Sequence, residues 1–146
     1  MIVDRTKQIL QEYSAYAKKN FGQNFIIDEN LINSIITKSE IDKETLVIEI
    51  GPGAGSLTTK LALVAKQVLC YEIDKDLESI LKENIKSSNV DIIFGDFLKC
   101  NVLPDIEKYE YNKLYVVANL PYYITTPILL KILEERDFPI DNLYLF

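Results

Sequence analysis

Histidine is absent from this sequence of 146 residues, and cysteine occurs only twice. Without an imidazole side chain, His-centred catalytic triads and His-ligated metal sites are excluded. The two cysteines, Cys70 and Cys100, are 100 − 70 = 30 residues apart and do not form the close cluster of a metal-binding motif. We therefore expect no metal, and the low cysteine content favours a reducing, cytoplasmic setting.

Long hydrophobic runs and an excess of positive charge are also missing. No apolar run approaches the roughly 20 residues that span a bilayer, and the first residues lack the apolar stretch of a signal peptide, so no membrane partner is expected. The 16 basic and 22 acidic residues give a net charge of −6, which is unfavourable for binding RNA. The first 19 residues are an exception, because four basic side chains outnumber two acidic ones there.

The composition, 48% hydrophobic and 26% charged, is that of an ordinary globular domain. Residues 1–27 form a predicted N-terminal arm, and residues 28–146 alternate between strand and helix patterns. The first four predicted strands cover residues 46–50, 68–73, 91–94 and 114–118. Asp74 is the predicted N-cap of the helix after the second strand, and a further helix is predicted over about residues 126–136. This alternation predicts an α/β fold with a mostly parallel sheet.

The last residues, 142–146, have the pattern of a fifth strand that ends without polar cover. We therefore expect this sequence to be a truncated part of a longer protein, interrupted after about the fifth strand. An uncovered strand at the edge of a sheet also predicts that the fragment self-associates.

Ligands of parallel α/β sheets bind beyond the carboxyl ends of the strands. Each of the first four predicted strands has, within two residues of its end, a glycine or a side chain that accepts hydrogen bonds. These residues are Gly51, Glu72, Asp96 and Asn119. The fold rule therefore predicts that they meet at one rim of the sheet.

The segment from Gly51 to Gly55 has the pattern G-x-G-x-G between a strand and a helix. Glycine permits a sharp turn and the close approach of a ligand, although a tight turn without a ligand is the simpler interpretation. Glu72 lies 72 − 51 = 21 residues after Gly51, where a carboxylate can bind the ribose diol of NAD or of S-adenosylmethionine.

The choice between these two cofactors depends on charge. The loop is not the G-x-G-x-x-G that holds a pyrophosphate. Glu49 places a second carboxylate beside the loop, unless it is only a solvated strand end. Carboxylates attract the cationic S-adenosylmethionine and repel a pyrophosphate, so we expect S-adenosylmethionine.

Asp96 and Phe97 follow the third predicted strand after Gly95. The Asp96 carboxylate can accept a hydrogen bond from an adenine amino group, whereas a plain Gly-Asp turn is the competing interpretation. Phe97 would either contact that base or pack in the core.

The segment Asn119-Leu120-Pro121-Tyr122 is the most specific short motif of the sequence. The amine of adenine is a poor nucleophile because its lone pair is delocalised into the ring. The side-chain oxygen of Asn119 and a backbone carbonyl of Leu120 or Pro121 can accept both N–H bonds and localise that pair. Tyr122 provides a face for stacking. A Pro-containing turn with a core tyrosine is the competing interpretation.

Taken together, these motifs resemble the N-terminal domain of the ribosomal RNA adenine dimethyltransferases, a family with a Rossmann-like S-adenosylmethionine-dependent fold. The matching segments appear in the family's order and cover most of the sequence from residue 19 to residue 133. They are Lys19–Phe25, Glu49–Thr58, Tyr71–Asp74, Gly95–Phe97 and Asn119–Pro127.

The resemblance implies a set of functional residues. Asn119, Leu120, Pro121 and Tyr122 would hold the target adenine. The cofactor would be contacted by Gln23, Asn24 and Ile26 of the arm and by Glu49, Gly51, Gly53, Glu72, Ile73, Asp96, Phe97 and Asn119.

The resemblance also implies dimethylation of adenine N6 in the 16S rRNA of the immature small ribosomal subunit. Within the family, Leu120 and the Tyr-Ile-Thr-Thr-Pro continuation favour this branch over the 23S rRNA methyltransferases of the macrolide-resistance type. Three competing functions are a non-catalytic role in ribosome assembly, an adenine-N6 DNA methyltransferase and an NAD enzyme. The family's helical C-terminal domain is absent, so we expect these 146 residues alone to be inactive and to bind cofactor weakly.

Overall fold

The computed structural model describes residues 29–118, 122–134 and 139–145. The predicted arm, residues 1–27, therefore lies outside the described residues. The strands of the described part are β1 (Thr45–Ile50), β2 (Gln67–Glu72), β3 (Val90–Phe94), β4 (Lys113–Ala118) and β5 (Asn142–Leu145). Its α-helices are α1 (Glu29–Lys38), α2 (Ser56–Val64), α3 (Glu78–Asn84), α4 (Val102–Ile106) and α5 (Tyr122–Glu134).

All five strands are parallel and lie in the order β3-β2-β1-β4-β5. The prediction of an α/β fold with a mostly parallel sheet is thus confirmed. The chain builds outward from β1 to β3 and then crosses back to place β4 on the other side of β1. This crossing makes the space between the ends of β1 and β4 a topological switch point, where ligands of such sheets bind.

The central strand β1 is buried at all six residues, because helices cover both faces of the sheet. On one face, Ile48 and Ile50 pack in a cluster that includes Ile106 of α4 and Ile128 of α5. On the other face, Val47 packs with residues of α1 and α2. The sheet is therefore the middle of three layers, and we expect a ligand to bind beyond the strand ends.

The predicted start of the last helix, at about residue 126, is wrong, because α5 begins at Tyr122 and contains Pro127 in its interior. Asp74 is an N-cap, as predicted, but of a 3-10 turn (Lys75–Leu77) that leads into α3. Its side chain accepts a hydrogen bond from the backbone of Asp76. Among the described residues, no helix has both the length and the apolar character needed to cross a bilayer.

Candidate functional site

The glycine loop, Gly51–Gly55, joins the end of β1 to the start of α2. Gly51, Gly53 and Gly55 have φ angles of 75°, 60° and 91°, in the left-handed region that L side chains avoid. At Gly55 a Cβ atom would also lie 2.9 Å from Cγ1 of Ile85. The loop conformation therefore depends on glycine at these three positions.

The Glu72 carboxylate holds this loop to the end of β2. Its Oε1 accepts a hydrogen bond from the Gly53 N–H at 3.2 Å, and its Oε2 accepts one from the Asp74 N–H at 2.9 Å. The side chain is fully buried. A carboxylate can accept about four hydrogen bonds, so Glu72 can position the loop and still serve as a ligand-binding acceptor.

Glu49 is also buried, with 1% of its surface exposed, and is not a solvated strand end. Its Oε1 accepts hydrogen bonds from Thr58 Oγ1 at 2.5 Å and from Cys70 Sγ at 3.7 Å. Burial raises the pKa of Glu49 to about 7, although the hydrogen bonds from Thr58 and Cys70 oppose the rise, and the nearby charge of Glu72 adds to it. Because Thr58 is in α2 and Cys70 is in β2, the Glu49 side chain lies between the sheet and α2.

Asp96 follows β3 and is close to Glu72, because the Gly95 N–H donates to the Glu72 carbonyl at 2.9 Å. Its Oδ1 accepts a hydrogen bond from the Leu98 N–H at 2.9 Å. Its Oδ2 is buried and has no hydrogen-bond partner within the described part of the chain. A buried acceptor without a partner is costly, so this oxygen suits a ligand that brings an N–H donor.

Phe97 and Ile73 are placed with the core. Phe97 is 4% exposed, and its ring meets the Tyr71 ring edge-on with 5.2 Å between centroids. Phe97 therefore packs in the core, and its contact with the cofactor stays a prediction. Ile73 is partly buried and packs against the same cluster.

The predicted adenine-holding residues follow β4, whose last residue, Ala118, pairs with Ile50 beside the glycine loop. Residues 119–121 lie outside the described residues, as do Gln23, Asn24 and Ile26. Tyr122 is the first residue of α5. The roles assigned to these residues stay predictions.

Two supporting residues were missed by the sequence analysis. Thr58 donates to Glu49, as described above, and Asn84 at the end of α3 donates its Nδ2 hydrogen to the Ala54 carbonyl at 2.8 Å. Both act on the glycine loop or the strand beneath it. Neither position breaks a periodic pattern, so no signal in the sequence separates them from ordinary helix residues.

The parallel sheet, its glycine loop after β1 and the acids at the ends of β2 and β3 define a Rossmann-like methyltransferase fold. Residues 15–146 match the family described as ribosomal RNA adenine dimethylase. The chain belongs to this family, and the resemblance inferred from its motifs is confirmed.

Individual relatives agree with this assignment. The chain is 51% identical over 141 residues to the ribosomal RNA small subunit methyltransferase A of Staphylococcus aureus, covering 94% of this chain and 47% of that protein. The chain thus spans about half the length of the curated relatives it matches.

Two solved structures have similar folds. The 23S rRNA methyltransferase ErmE is 30% identical with a TM-score of 0.67, over 82% of this chain and 46% of that one. A dimethyladenosine transferase from Plasmodium falciparum is 29% identical with a TM-score of 0.59, over 74% and 38%.

Proposed function

We propose that the protein containing this chain transfers methyl groups from S-adenosylmethionine to the N6 amine of adenines in small-subunit (16S) rRNA, giving N6,N6-dimethyladenosine. Membership of the ribosomal RNA adenine dimethylase family supports the reaction. The 51% identity to a small subunit methyltransferase, against 30% to the 23S enzyme ErmE, supports the 16S substrate. The structural observation that carries the cofactor assignment is the buried Oδ2 of Asp96, for which the described residues provide no hydrogen-bond donor.

The residues at the rim fit S-adenosylmethionine better than a dinucleotide. Asp96 Oδ2 would accept a hydrogen bond from the adenine amino group, and Glu72, one strand away, would bind the ribose hydroxyls. The loop from Gly51 to Gly55 contains no basic side chain that would neutralise a pyrophosphate. The Glu72 carboxylate favours the positive charge of the sulfonium group, and Glu49, whose pKa is raised to about 7, adds to this attraction when it is ionised.

The proposed chemistry needs positioning more than acid–base catalysis. Bound S-adenosylmethionine supplies an electrophilic methyl group. Asn119 and a carbonyl of Leu120 or Pro121 would accept the two N–H bonds of the target amine and direct its lone pair, while Tyr122 stacks on the base. The proton can leave to water after attack, so the lack of histidine is no obstacle to this reaction.

The test uses the full-length protein, unmethylated small ribosomal subunits and S-adenosylmethionine, with mass spectrometry of the rRNA nucleosides as the measurement. We expect dimethyladenosine in 16S rRNA, and we expect Asn119→Ala to reduce its formation by about 100-fold or more. Asn112→Ala is the matched control, since Asn112 precedes β4 at its opposite end and is exposed. Unchanged activity of Asn119→Ala would refute the mechanism.

The same measurement separates the competing substrates. Methylation confined to 23S rRNA would replace the 16S assignment with the macrolide-resistance type of activity. Calorimetry with S-adenosylmethionine and with NAD tests the cofactor independently of RNA. Binding of NAD but not of S-adenosylmethionine would overturn the proposed reaction class.

A further inference from the structure

Lys131, in the third turn of α5, contacts the segment that follows Asp96. Its ammonium group donates to the Cys100 carbonyl at 2.7 Å and also to the Phe97 carbonyl. The same group lies 4.8 Å from the centroid of the Phe97 ring, in a cation–π arrangement. These contacts attach α5 to the turn from Asp96 to Cys100.

That turn determines where the Asp96 carboxylate lies. The backbone N–H groups of Lys99 and Cys100 donate to the Asp96 carbonyl at 2.9 and 3.0 Å, and the Leu98 N–H donates to Asp96 Oδ1. The carboxylate is therefore held by the backbone of the turn, with Oδ2 left buried. Hydrogen bonds from a charged donor are stronger than neutral ones, so the ammonium group is a strong constraint on this backbone.

We propose that Lys131 is a positioning residue for the adenine half of the cofactor site, where it fixes the Asp96–Cys100 turn and so aims Asp96 Oδ2 at the adenine amino group. This inference rests on the proposed function, since it takes the ligand to be an adenosine cofactor. Helix α5 begins at Tyr122, in the predicted adenine-holding motif. Lys131 thus connects the helix that starts in the target-base motif to the turn that recognises the cofactor.

The test compares two ligands of the full-length protein by calorimetry: S-adenosylhomocysteine and its inosine analogue, which carries a carbonyl in place of the amino group. A carbonyl facing Asp96 Oδ2 leaves two acceptors opposed, so the wild-type protein should prefer the adenine ligand by about tenfold or more. In Lys131→Met this preference should fall to about threefold or less. Lys131→Arg, which keeps the charge and the donors, should retain most of it.

Lys99→Met is the matched control, because Lys99 lies in the same turn with an exposed side chain. It should keep the wild-type preference. A purely structural role of Lys131 would weaken both ligands equally and leave their ratio unchanged, and that result would overturn the inference. If Lys131→Met does not fold, Lys131→Gln takes its place, and an unchanged ratio there would be equally negative.

Failure of the inference differs from failure of the proposed function. If the wild-type protein binds neither ligand, the cofactor assignment is wrong. If the wild-type protein prefers the adenine ligand to its inosine analogue and Lys131→Met shows the same preference, only the role of Lys131 is wrong.

Discussion

The buried carboxyl group of Glu49 should make the stability of this protein fall as the pH rises towards neutrality. Its pKa is about 7 in the folded state and 4.5 ordinarily. Below pH 4.5 the group is protonated in both states, and above pH 7 it is ionised in both. Between these values only the unfolded state releases the proton, so folding loses free energy as the pH rises.

The size of the effect follows from the two pKa values. At about 1.4 kcal/mol per pKa unit, the full difference corresponds to about 3 kcal/mol, and most of it should appear between about pH 5 and about pH 8. The Cys70 thiol, which donates to Glu49, has its pKa raised well above its usual 9.0 by burial. It therefore stays neutral over this range and does not contribute.

Denaturant unfolding of the full-length protein at about pH 5 and about pH 8 measures this difference. The variant Glu49→Gln has no proton to release, so its change in unfolding free energy between the two pH values should be smaller than the wild-type change by about 2–3 kcal/mol. Glu107→Gln, at an exposed position, should behave as the wild type does. Identical pH dependence in Glu49→Gln and the wild type would refute the argument.

Two further substitutions test the rim. Gly55→Ala forces a side chain into a backbone with φ of 91° and against Ile85, so it should lower the unfolding free energy by about 1–3 kcal/mol. Gly95→Ala, where no positive φ is required, should lower the unfolding free energy by less. Equal losses of unfolding free energy in denaturant melts would count against backbone strain at Gly55. Asp96→Asn should weaken S-adenosylmethionine binding about tenfold in calorimetry, whereas the exposed Asp76→Asn should not, and equal affinities would remove Asp96 from the site.

The strands were predictable because their signal is local. Burial of β1 on both faces requires a continuous apolar run, and residues 46–50 supply one apart from Glu49. The rule that ligands bind at the carboxyl ends then placed the glycine loop, Glu72 and Asp96 together without any knowledge of the strand order. The order itself, with β4 beside β1, depends on how the chain crosses over, which periodicity does not encode.

The helices show where local signals fail. Pro127 favours a helix start nearby because proline suits the first turn, yet α5 begins at Tyr122 and gives up one backbone hydrogen bond at the proline. The five-residue α4 was not predicted, since a helix this short presents little periodicity. Lys131 was not singled out because its partners, the carbonyls of Phe97 and Cys100, are more than 30 residues away in sequence.

Two buried carboxyl groups, those of Glu49 and Glu72, form hydrogen bonds with the glycine loop or with α2, which follows it. Glu49 and Glu72 are both nearly or fully buried. The charge of Glu72 raises the pKa of Glu49, and the charge of Glu49 raises the pKa of Cys70. The N–H groups of Gly53 and Asp74 stabilise Glu72, and Thr58 stabilises Glu49. Gly53 lies on the loop and Thr58 lies in α2, which follows it, so the carboxyl groups of Glu72 and Glu49 hold the loop and its helix against the sheet. Under the proposed function, the positive charge of the cofactor would offset the repulsion between Glu72 and the ionised form of Glu49.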